Sequence, residues 1–286
     1  MPLPNSGTIS GSQIATTLGG LPSPYSLHNM SLSASFSTPD AMSEFYSYGV
    51  VTSSMMLYLD ASNASSYGGS GTTWYDLSGN GYNATFASAG GGSNPSYTTS
   101  GGRKYFQFTG INPSGPHYTG GGYMTLSNNL DTSYATIQCW FNNNTSATYV
   151  MILGGKTANA SVYQGYELYL NGSAIGKADA RISTGGGTAN TDIAASYSYN
   201  TWYNFALTYD GSNMYTYLNG SQVATTSKTG TINTGRPFTI GAQYLDGSTP
   251  SEFLNGALGS MFVYSKALSA TEILQNYNTQ KYLYGY

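Results

Sequence analysis

From residue 50 onward the chain is a succession of short apolar runs of four to nine residues, separated by clusters of Gly, Asn and Ser. The runs at 55–59, 105–108, 123–126, 135–141, 149–153, 166–170, 202–209, 214–218, 221–226, 238–241 and 256–264 read as β-strands. So many short strands with turn residues between them argue for an all-β protein, a sandwich or jelly roll. Asn219-Gly220 between two of the runs supplies both positive-φ positions of a type I′ hairpin turn, and Leu170-Asn171-Gly172-Ser173 reads the same way. A single helix is expected after the last strand, over residues 269–277, with Ser269 and Glu272 as its capping box.

Composition narrows what this sandwich can be. Of 286 residues only 7% are charged, yet 40% are hydrophobic, so the chain can build a core and is not a disordered polymer. With 37 Gly and 28 Tyr, its surface must be made of Ser, Thr, Asn, Gly and Tyr hydroxyls, which suits a fixed assembly or an extracellular setting. A net charge of −3 without a basic block points away from nucleic acid and acidic membranes. Cys139 is the one cysteine; it excludes an internal disulfide and reads as a small core residue. No apolar run reaches the ~18 residues of a membrane span, and Met1-Pro2-Leu3-Pro4-Asn5 lacks the features of a secretion signal.

Residues 1–50 differ from the rest and form a separate docking segment, with the sandwich occupying 51–286. Residues 11–20 read as a short helix that Ser10 or Ser12 can cap, with Ile14 and Leu18 on one face and Gly19 as its stop. Residues 37–46 repeat the pattern, with Pro39 placed at the first helical position. Two short amphipathic turns cannot make a core, so the segment must dock on a partner or on the sandwich.

Several strings resemble the laminin G-like branch of the concanavalin A-like lectin/glucanase superfamily. They are Leu57-Tyr58-Leu59-Asp60-Ala61, Thr73-Trp74-Tyr75-Asp76-Leu77-Ser78-Gly79-Asn80-Gly81, Trp202-Tyr203-Asn204-Phe205-Ala206-Leu207, Leu218-Asn219-Gly220, and the stretch 253–269 beginning Phe253-Leu254-Asn255-Gly256. The resemblance implies a two-sheet antiparallel jelly roll. The leader, with Leu3-Pro4-Asn5-Ser6-Gly7-Thr8-Ile9-Ser10 and Ala41-Met42-Ser43-Glu44-Phe45-Tyr46, is similar to the start of tailed-bacteriophage structural proteins, crAss-like phages among them. That second resemblance implies a virion component, a head-fibre, decoration, tail-fibre or baseplate subunit. It would be mounted through residues 1–50 on other virion proteins, present as a homo-oligomer, and directed at a host-surface glycan. The alternative it leaves is a carbohydrate-binding adhesin, and behind that a glycan-degrading enzyme.

Hydrolysis lacks its residues. Retaining glycosidases need two carboxyls about 5 Å apart, whereas Glu44, Glu167, Glu252 and Glu272 are scattered and unpaired. Glu167 is the one glutamate on a central strand, and it is expected on the solvent face. His28 and His117 sit in no nucleophile motif, and one Cys with two separated His excludes a zinc cluster. Calcium needs only oxygens, and Asp76 with Asn80 is the best such cluster; the same residues also suit a tight turn in which Asp76 bonds its own backbone. Glycan binding is the remaining chemistry, since tyrosines supply both aromatic faces and hydroxyls. The stretches 87–102, 112–122 and 183–197, rich in Gly, Ser and Thr, are expected to be the long loops where a ligand would bind.

Overall fold

The computed structural model describes residues 10–18, 30, 49–114, 117–156, 163–185, 189–232, 235, 237–243 and 250–286. Among these residues, seventeen strands form two antiparallel sheets packed face to face. The strands are β1 (Met55–Asp60), β2 (Thr73–Trp74), β3 (Ala84–Ala89), β4 (Ser96–Ser100), β5 (Arg103–Phe108) and β6 (Gly110–Ser114). They continue with β7 (His117–Leu126), β8 (Ala135–Asn143), β9 (Val150–Lys156), β10 (Tyr163–Leu170), β11 (Lys177–Thr184) and β12 (Ala189–Ser196). The last are β13 (Trp202–Tyr209), β14 (Asn213–Leu218), β15 (Ser221–Ser227), β16 (Phe238–Ile240) and β17 (Gly256–Tyr264). The first sheet runs β15-β14-β13-β8-β17-β5-β4, and β1 pairs with the later half of β17. The second runs β12-β11-β10-β9-β16-β7-β3-β2, with β6 on β7.

Alternation places the core between the sheets. Phe106, Ile137, Phe141, Phe205, Leu207 and Val263 of the first sheet share one apolar cluster with Met124, Tyr166, Leu168, Ile182 and Ile240 of the second. Cys139 lies in this cluster, where burial pushes its thiol up and leaves it a small hydrophobe. Strand β17 breaks the alternation and is buried at every residue. At Phe262 and Tyr264 its outer face is covered too, by the helix α2 (Ala270–Gln280), which a 3-10 turn (Lys281–Tyr284) follows.

A satisfied polar network fastens α2 to the sheet. Asn276 donates to Gln138 Oε1 and Tyr264 Oη, both at 2.9 Å, and accepts from the Val51 N–H at 2.8 Å. Gln138 donates in turn to Asn204 Oδ1 and to the Ile273 carbonyl. Ser269 and Glu272 form the expected capping box at the start of α2, and Glu272 reaches Lys266 at 2.6 Å.

The leader helix α1 (Gly11–Thr17) is capped by Ser10, whose hydroxyl accepts from Gln13 N while Gln13 reaches back. Its Ile14 and Leu18 are buried, and the Tyr282 hydroxyl donates to the Thr17 carbonyl at 3.0 Å. The end of α1 thus touches the 3-10 turn that follows α2. The helix expected at 37–46 lies outside the described residues.

Three expected loops are largely strands. Residues 87–102 contain the end of β3 and all of β4, residues 112–122 fall mostly in β6 and β7, and 183–197 contain β12. These strands are written in Ala, Ser, Thr and Gly, which carry a weak strand signal. The hairpin at Asn219-Gly220 is as expected, with φ of +50° and +79° and Leu218 facing Ser221. The turn at Asn171 is longer than two residues: Leu170 pairs with Ala178, and Asn171 (φ +58°) closes the loop through Lys177 O and Gly176 N.

Candidate functional site

Asp76 and Asn80 come together in one turn, as protein-to-protein links. Asp76 Oδ1 accepts from the N–H groups of Tyr58 and Ser78, both at 2.9 Å. Its Oδ2 accepts from Ser78 Oγ at 2.7 Å and Tyr82 N at 3.1 Å. Asn80 turns its amide nitrogen to the carbonyls of Met55 and Met56, at 2.9 and 3.0 Å. The four lone-pair positions of the carboxylate thus face donors, the geometry of a pinned loop. No cluster of three or more His, Cys, Asp or Glu side chains suited to a metal ion occurs among the described residues.

Glu167 corrects the solvent-face expectation, being only 1% exposed. It pairs across β10 and β11 with Arg181, whose Nη1 is 3.3 Å from Oε2. Arg181 also donates to Tyr169 Oη at 3.2 Å and lies over the Tyr169 ring. On the neighbouring strand position Asp179 accepts from Gly172 N and from the Ser173 backbone and hydroxyl. Glu272 is bound to Lys266 and the helix cap. Glu167, Asp179 and Glu272 are each engaged with protein partners. His117 has its Nδ1 3.3 Å from the Thr148 carbonyl and its ring centroid 5.6 Å from that of Tyr149.

The outer face of the first sheet offers a different arrangement. Register places Trp202 opposite Asn142, Asn142 opposite Ala257, and Ala257 opposite Gln107, a transverse row over β13, β8, β17 and β5. All four point away from the core, because their neighbours Phe141, Leu258, Phe106 and Phe108 point into it. The row floors a depression of about 130 Å³, whose rim adds Tyr105, Asn144 and Asn200. Tyr105 meets Trp202 edge to face, with ring centroids 5.4 Å apart.

The walls of this depression are braced and its amides are available. Trp202 packs on Tyr284 at 4.8 Å, and Tyr284 stacks on Trp140 at 4.2 Å. The Trp202 carbonyl accepts from the Tyr286 hydroxyl. Gln107 spends its amide nitrogen on the carbonyls of Phe108 and Gly256, which leaves Oε1 as an acceptor. The side-chain amides of Asn142, Asn144 and Asn200 have no hydrogen-bond partner among the described residues. The buried Asn143, Asn171 and Asn276 are all engaged. An aromatic wall, a small floor at Ala257 and a ring of uncharged amides can hold a flat-faced polyhydroxylated ring.

None of the residues in this row was singled out in sequence as a site. Their strands are separated by up to 150 residues, and only the register brings them together.

The family model of the concanavalin A-like lectin/glucanases superfamily matches residues 118–274, more than half of the chain. No curated protein matches. Among solved structures, the binding domain of botulinum neurotoxin DC in complex with SialylT is 17% identical, with a TM-score of 0.58 over 81% of this chain and 52% of that one. The same toxin's binding domain in complex with rat synaptotagmin II is 16% identical, with a TM-score of 0.57 over 80% and 52%. A botulinum neurotoxin type C structure, described by cell entry dependent on interaction with two ganglioside molecules, is 16% identical, with a TM-score of 0.56 over 80% and 52%. The chain spans about half the length of these structures, and the likeness is one of fold.

These matches correct the expectation of a bacteriophage structural protein located in a virion: the structures matched are toxin binding domains. The described leader agrees with that correction, since Ile14 and Leu18 are buried within the chain itself. By its family match and its two-sheet architecture, the chain belongs to the concanavalin A-like lectin/glucanase superfamily.

Proposed function

We propose that this chain is a carbohydrate-binding module that seats a sugar ring in the depression beside the Tyr105–Trp202 pair. The transverse row Trp202–Asn142–Ala257–Gln107 carries this reading, because it combines a braced aromatic wall with unspent amides over a small floor. The toxin binding domains of the same fold, one of them in complex with SialylT, support a receptor-binding role. We also propose that calcium takes no part, since Asp76 already accepts four protein donors.

A glycan array followed by calorimetric titration tests the site. Trp202→Ala is expected to weaken binding at least about tenfold, the equivalent of ~1.4 kcal/mol. Because Trp202 also braces Tyr284, Ala257→Leu serves as a second variant, filling the floor without removing a wall. Val223→Ala, exposed on β15 and outside the depression, is the control. Wild-type affinity in both Trp202→Ala and Ala257→Leu would overturn the assignment.

A further inference from the structure

We infer that the glycan held here is acidic and that Arg103 receives its carboxylate, an inference that rests on the sugar site proposed above. Arg103, Tyr105 and Gln107 alternate onto the same outer face of β5, while Phe106 and Phe108 enter the core. At the Arg103 end opens a second cavity of about 260 Å³, bounded by Ser62, Gly102, Lys104, Leu283 and Tyr284. Tyr284 belongs to both places, for it bounds this cavity and also packs on Trp202 of the depression. The two hollows therefore lie along one strand. Their anchor residues, Arg103 and Gln107, are four positions apart, about 13 Å at ~3.3 Å per residue. A short oligosaccharide spans that distance.

The chemistry at the Arg103 end suits an anion. Arg103 Nε is buried without a hydrogen-bond partner among the described residues, in a chain that has only nine Lys and Arg to place. A buried donor left unmade is unfavourable, and one on a cation more so. No acid among the described residues lines the cavity. Asp60, two residues before Ser62, has its oxygens taken by Ser62, Tyr58 and Gln280, and it makes no ion pair with Arg103. The guanidinium fork matches a carboxylate in plane and spacing. The depression itself is lined by uncharged groups, so the two ends divide the work: a neutral ring over Ala257 and a carboxylate on Arg103.

The test uses the full chain on an array of matched sets, each neutral oligosaccharide printed beside its sialylated, uronate-ended and sulfated forms. In at least one set the carboxylated form is expected to bind about tenfold tighter than its neutral parent. Arg103→Gln should erase that preference while leaving the parent's affinity within about twofold, and Arg103→Lys should keep part of it. Equal melting temperatures would show that both variants fold. The sialylated and uronate arms tell the two sources of carboxylate apart. A wild-type chain that binds parent and acid equally, prefers the sulfated form, or keeps its preference in Arg103→Gln overturns the inference and leaves the neutral site standing. Binding that Trp202→Ala does not weaken, or no binding to any member, removes the site and the inference together.

Discussion

A single carboxylate, Asp76, ties β1, the turn at Ser78 and the approach to β3 through four hydrogen bonds. Asp76→Ala leaves the Tyr58 and Tyr82 N–H groups without that acceptor, and chemical denaturation should show a loss of about 2–3 kcal/mol. Adding EDTA should leave the wild-type melting temperature unchanged; a fall reversed by calcium would show that the turn holds an ion. Glu272 gives a pH signature. Burial acts to raise its carboxyl, but the bonds from Lys266 and Ser269 outweigh that and hold it below the ordinary carboxylate value. Its stabilisation is therefore present above that ordinary value and fades as pH falls through the lowered one. Glu272→Gln keeps the capping bond, as Gln13 does in α1, but loses the Lys266 ion pair, so it should be less stable than wild type at neutral pH by about 0.2–1 kcal/mol. The gap should close in acid, measured by denaturant melts across pH. Asp76 was legible as a turn residue because its partners Ser78 and Tyr82 are local. Glu167 was not, because Arg181 arrives from the next strand.

Among the elements, α2 shows how a helix of modest amphipathicity is held on a sheet. Asn276 fills three hydrogen-bonding roles in a space closed to water. Asn276→Leu would strand the Val51 N–H and Gln138 Oε1, so unfolding free energy should drop by about 2–4 kcal/mol. Loss of less than 1 kcal/mol would mean that water replaces the amide. The large apolar strands were readable: β13 and β17 have the bounds their sequences suggest, and the capping boxes mark both described helices. The strands β3, β4, β11 and β12 were not. In β11 the core positions Ala178 and Ala180 are small because the opposing sheet supplies the volume. A sequence reader sees only the missing bulk.

At the scale of the molecule, function follows from how far the C-terminal cover extends. Helix α2 and the 3-10 turn hide the outer face over Trp140, Phe262 and Tyr264, and they stop short of the row from Trp202 to Gln107. The uncovered strip is where the sandwich meets solvent with an aromatic wall and free amides. Truncating residues 282–286 would remove Tyr284 and Tyr286 from behind Trp202. Glycan affinity should then fall about tenfold or more while the sheet signal in circular dichroism persists. The most direct measurement is a crystal structure with an oligosaccharide selected on the array. The expected result is a sugar ring over Ala257, against the Tyr105–Trp202 pair, with its hydroxyls on Asn142 and Gln107. Sugar found instead on the outer face of the second sheet, beside Glu167 and Arg181, would contradict the assignment.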